Sequence, residues 1–164
     1  MKRLICALFA ILMMSVLFAG CTVETTVNPQ YVDPIAENYA SATEVDDDGN
    51  ITYEFEEEQY DEFLTDLHEV VKEESREYVD SPKQYTHYNL KDSDDEENYG
   101  IVVGITKETY EEFGEEDLKE EAKRVGESAV KFQMNTEDPA KELPVSYRDS
   151  STGEVFFTIT VTAE

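Results

Sequence analysis

The apolar period of this chain switches repeatedly between two and 3.6, and few folds accommodate that order. Ile51, Tyr53 and Phe55 alternate with Thr52, Glu54 and Glu56, the pattern of a half-buried strand. Over 57–78 the repeat lengthens: Tyr60, Phe63, Leu64, Leu67, Val70 and Val71 form one apolar stripe, which predicts an amphipathic helix. Period two returns in 84–90 and again in Tyr99–Thr106, where Ile101, Val103 and Ile105 share a face. Gly100 and Gly104 share the other face, where a second backbone can come close. Leu118, Ala122, Val125, Ala129 and Phe132 predict a second helix over 115–133, weakened by Gly126 and ended by Asn135 and Pro139. Two strands, 143–148 and 154–162, close the chain around a Ser150-Ser151-Thr152-Gly153 turn. Asp46-Asp47-Asp48-Gly49-Asn50 is dense turn chemistry before the first of these strands, and its partner lies near Ala40–Val45.

The order is hairpin, helix, hairpin, helix, hairpin. It predicts an α+β fold: an antiparallel sheet with two helices on one face. The central β-α-β-β-α-β order suggests a split βαβ, ferredoxin-like layer with extra hairpin strands. Such a fold leaves function open.

The chain holds 39 acids and 13 bases, a net charge of −26. That balance argues against nucleic acid and against anionic lipid surfaces as partners. It suits solubility, cationic partners or a cation-rich medium.

The first twenty-one residues have a different composition. Met1-Lys2-Arg3 is a basic head, Leu4 to Phe18 carries no charge, and Ala19-Gly20-Cys21 follows. A positive head, an apolar run and small residues form the layout of a secretory signal. With Cys directly after Ala-Gly, the segment resembles the lipobox of prokaryotic lipoproteins. Phe18 stands where that family usually has Leu. The resemblance covers residues 1–21 alone. It implies that the Cys21 thiol receives a diacylglyceryl group and that the chain is cut before it. The apolar run is shorter than the roughly 20 residues of a membrane span. A retained anchor and simple secretion with a free Cys21 thiol are the alternatives. Lys2 and Arg3 would leave with the signal and no acid would, so the chain from Cys21 carries 11 bases against 39 acids, a net charge near −28. Cys6 would leave too, and no thiol pair would remain for a disulfide or a thiolate metal site.

These readings divide the chain into a signal peptide (1–20), a flexible tether (21–38) and one α+β domain (39–164). The tether rests on threonine richness, Pro29 and Pro34, and the lack of a lasting period.

Three constellations carry side chains capable of chemistry. Glu44 to Ile51 imitates the first half of an EF-hand calcium loop, but Phe55 stands where the bidentate acid belongs. A turn between strands accounts for the same residues. His68 and His87 have no spacing that brings them together, and a zinc site needs three or four defined ligands. Asp92, Asp94, Asp95, Glu96 and Glu97 read as a solvated acidic loop rather than a paired-carboxylate site. There is no G-x-S-x-G context, Walker loop or dinucleotide fingerprint.

No catalytic residue, cofactor or metal is expected. The expected function is a lipid-anchored envelope module on the extracytoplasmic side of a membrane. Its partner would be an envelope protein, bound through an exposed sheet face: Tyr85, His87, Asn89 and the threonines of the last strand. A cation-responsive acidic structural lipoprotein and an enzyme of unrecognised type are the alternatives.

Overall fold

The computed structural model describes residues 21–91, 99–137 and 142–162. Its strands are β1 (Thr22–Val27), β2 (Ala42–Val45), β3 (Ile51–Glu56), β4 (Gln84–Asn89), β5 (Gly100–Ile105), β6 (Glu142–Asp149) and β7 (Val155–Thr162). Its α-helices are α1 (Glu57–Ser75), α2 (Lys107–Phe113) and α3 (Glu115–Gln133). The α+β class is borne out. The three predicted hairpins and the two long helices lie where the periodicity put them.

The expected tether is corrected. Thr22–Val27 is a strand, antiparallel to β3 from Thr22↔Glu56 to Val27↔Ile51. Val23, Thr25 and Val27 are buried and their neighbours are exposed, a period-two pattern that β-branched threonine fits well. Pro29 and Pro34 do not extend a linker. Each opens a short 3-10 turn, capped by Asn28 and Asp33, whose side chains accept from the Gln30 and Ile35 amides. The buried Asp33 carboxylate lies 2.5 Å from Lys131 Nζ, and Asn135 Nδ2 donates to the Tyr31 carbonyl at 3.0 Å. The segment is therefore fastened to α3.

That strand also changes the topology. β1 and β2 flank β3, so both edges of β3 are taken. β3 therefore cannot join the strands that follow α1, and a single split βαβ sheet does not form. There are two sheets: β1-β3-β2, and a four-stranded sheet in the order β4-β5-β6-β7. In the second sheet β4/β5 and β6/β7 are antiparallel, whereas β5/β6 is parallel. A parallel pair needs a crossover, and the segment containing α2 and α3 supplies it.

The helix stripes form the core. α1 buries Tyr60, Phe63, Leu67, Val71 and Ser75. Phe55 stacks on Phe63 with ring centroids 5.0 Å apart, joining the smaller sheet to α1. α3 buries Leu118, Ala122, Val125, Gly126 and Ala129, and it lies over Val145 and Val161 of β6 and β7. Ile101, Val103, Ile105, Tyr147 and Phe157 complete this one continuous core. Tyr110 and Phe113 lie in α2, ahead of the second long helix. Thr106 caps α2 through the Thr109 amide, and Gly114 ends it at φ 80°. Tyr110 then stacks on Phe156, with centroids 4.4 Å apart.

Candidate functional site

Cys21 is exposed. Its carbonyl accepts the Glu57 amide at 3.3 Å, and β1 begins at the next residue. The described fold therefore includes Cys21, with no spacer between it and β1. Among the described residues, no helix is long and apolar enough to cross a membrane.

The face of the four-stranded sheet turned away from the helices is the second feature. Its register aligns Val102, Ser146 and Thr158 in one row and Gly104 with Arg148 in another. The Ser146 and Thr158 hydroxyls lie 2.8 Å apart. Thr158, Thr160 and Thr162 are exposed, as expected. The expectation for β4 needs correction. A bulge between Tyr85 and His87 shifts the strand register. Tyr85 turns inward, and its hydroxyl donates to the Ser75 carbonyl and hydroxyl, both at 2.9 Å. Burial pushes the Tyr85 phenol up to about 12. Thr86 takes the outer place instead. Its Oγ1 donates to the Val102 carbonyl at 3.2 Å, and it lies so close over Gly104 that a Cβ there would sit 2.6 Å from its methyl.

Part of this face forms a shallow groove of about 530 Å³, with Thr86, His87, Val102, Gly104, Ser146 and Arg148 in its walls. Arg148 forms no ion pair among the described residues, although the chain is strongly acidic. Its neighbour Asp149 is committed to the β6–β7 turn. It accepts the Ser151 amide at 2.7 Å and the Ser151 hydroxyl, which holds its carboxyl below the ordinary value. The groove thus offers hydroxyls and one guanidinium on the four-stranded sheet.

The calcium-like segment is a turn. Asp46 Oδ1 accepts the Asp48 and Asn50 amides at 2.9 and 2.8 Å, and Oδ2 accepts Asn50 Nδ2 at 2.9 Å. The Asn50 side chain in particular lowers the Asp46 carboxyl. His68 and His87 are on opposite sides of the sheet. His68 sits edge-on between Tyr88 and Phe132, with centroids 5.4 and 5.8 Å away, and burial lowers its pKa. His87 lines the outer groove. Among the described residues, no three His, Cys, Asp or Glu side chains gather to hold a metal ion. The acidic loop Asp92–Glu97 lies outside the described residues.

Two arrangements were not anticipated from the sequence. Lys83, only 4 % exposed, pairs with Glu121, whose Oε1 also accepts the Tyr147 hydroxyl at 2.6 Å. Burial and this acceptor both raise the Tyr147 pKa. Separately, Ser128 and Lys131 have the S-x-x-K spacing of a nucleophile–base pair. The structure commits both elsewhere. Ser128 Oγ donates to the Val125 carbonyl, and Lys131 is held by Asp33 and Glu74.

Comparison with family models, with curated proteins and with solved structures returned no match to this chain.

Proposed function

We propose that this protein is a lipid-anchored module of the cell envelope, held on the extracytoplasmic side of a membrane through Cys21, that binds an envelope protein without catalysis. The observation that carries the reading is the layout of residues 1–21 ending in Cys21. Two acyl chains, at about 0.8 kcal/mol per buried methylene, make such an anchor stable. The exposure of Cys21 at the margin of the fold supports it, because a lipid there displaces no core residue. With β1 starting at Thr22, the domain would sit directly on the membrane surface, with Glu56, Glu57 and Glu58 beside the anchor.

The outer face of the four-stranded sheet is the binding surface in this reading. It is hydroxyl-rich and carries Arg148, which has no ion pair among the described residues. The test is crosslinking in host cells from a photoreactive residue at Thr158, compared with one at Asp61 on α1. An adduct with one envelope protein from Thr158 and not from Asp61 supports the reading. Equal adducts from both positions, or none from either, would remove the sheet face as a binding surface.

The net charge near −28 favours a second reading, a structural lipoprotein whose compactness depends on cations. It predicts a stronger effect of divalent ions on melting than of the same ionic strength of monovalent salt.

A further inference from the structure

We propose that β7 pairs with β7 of a second copy, joining two four-stranded sheets into one of eight strands. The proposal does not depend on lipidation or on the outer groove. β7 is an edge strand of eight residues, Val-Phe-Phe-Thr-Ile-Thr-Val-Thr, without a charge or a proline. In a chain with 32 % charged residues, that is an unusual edge. Proteins commonly blunt exposed edges with lysines, prolines or bulges, because free N–H and C=O groups recruit further strands. The opposite edge is blunted in this way, by the bulge in β4 between Tyr85 and His87. β7 has one irregularity, opposite Tyr147 and Arg148, and runs regularly from Phe157 to Thr162.

Beside this edge lies an open groove of about 550 Å³ between β7 and α3, lined by Ile159, Val161, Val130, Tyr31, Lys119 and Lys123. A strand added to β7 would send alternate side chains into it. The chain's own β7 fits that requirement. A two-fold axis through Thr160, normal to the sheet, sets Thr158 against Thr162, Ile159 against Val161 and Thr160 against itself. Threonines then meet threonines on the outer face, and aliphatic side chains meet over the groove. Both kinds of cross-strand pair are favourable. The interface is isologous and closes at two copies.

The net charge of −26 opposes association of two copies, so screening by salt should strengthen the pairing.

The test uses the full chain in host membranes, with cysteine substitutions on β7. Thr160→Cys should give a disulfide-linked dimer on mild oxidation, because the axis sets that residue against itself. Chains carrying Thr158→Cys should crosslink to co-expressed chains carrying Thr162→Cys, and neither should crosslink to its own kind. The unsubstituted chain and Asp61→Cys serve as controls. Thr160→Lys, an exposed substitution, should abolish the dimer of detergent-extracted protein in light scattering while leaving its melting temperature within about 2 °C, as expected of a surface change. A monomer at every salt concentration would overturn the proposal. So would crosslinking from Asp61→Cys as efficient as from Thr160→Cys, or β7 adducts formed only with a different protein.

Discussion

Gly126 on α3 rests directly against Val161 on β7: a Cβ at Gly126 would come within 2.4 Å of Val161 Cγ2 and 2.9 Å of its Cβ. A helix-interior glycine ordinarily costs about 1 kcal/mol relative to alanine. Here it is what allows the helix to reach the sheet. Gly126→Ala should therefore destabilise the fold, by roughly 1–2 kcal/mol, since overpacking costs about 1–3 kcal/mol and the helix gains part of that back. Val161→Ala added to Gly126→Ala should recover stability that neither substitution gives alone. Urea melts of the four proteins check it, and strictly additive effects would contradict the close contact.

Lys83, Glu121 and Tyr147 form a polar cluster at the base of α3, with the Lys83 ammonium also 4.6 Å from the Phe113 ring centre. Removing one member of a buried pair leaves the other charge stranded. Lys83→Met should cost about 3 kcal/mol, the low end of the range for such sites, because Glu121 keeps some water contact. Adding Glu121→Leu should restore most of that loss. Denaturant unfolding of the single and double variants measures both, and a double variant no better than the single one would show that the charges are not coupled.

His68 gives the fold a pH dependence near neutrality. Burial lowers its folded pKa from the ordinary 6.5, against the opposing pull of Glu69. The neutral ring is thus favoured in the native state and the charged ring in the unfolded state. Its contribution is complete above about 6.5 and is lost as pH falls through the folded value. The difference in melting temperature between wild type and His68→Gln should shrink as pH is lowered from 7.5 to 5. Parallel curves would show that His68 does not titrate differently on folding. Asp46, Glu115 and Asp149, all shifted downward, act in a separate and more acidic window.

Self-repulsion among 39 acids should make stability depend on salt. The Debye length falls from about 30 Å at 0.01 M to about 8 Å at 0.15 M, so most long-range repulsion is screened over that interval. The melting temperature should rise across it and then level off. A flat response would mean that short-range attractions, such as Lys119 with Glu115 and Arg124 with Glu120, lose as much to screening as the long-range repulsion does.

Both long helices were legible in the sequence because each carries one unbroken apolar stripe. The β2–β3 turn was legible because Asp46 and Gly49 supply turn chemistry. β1 was not. Its threonines and Glu24 look like a linker, and only pairing with β3 shows that Val23, Thr25 and Val27 are an inward row. From that omission followed the wrong sheet partition, since β3 without β1 has a free edge. The β4 bulge left no local mark either, so Tyr85 and Thr86 exchanged faces. Long-range pairs such as Asp33 with Lys131, or Lys83 with Glu121, join residues whose neighbourhood is set by the fold. Among 39 acids, no spacing singles them out.

The proposal that Cys21 carries a lipid is tested most directly by the intact mass of the protein extracted from host membranes, beside a Cys21→Ala variant. A chain beginning at Cys21 with added acyl mass, lost in the variant, is the result expected here. An unacylated mass, or a chain that keeps residues 1–20, would contradict it.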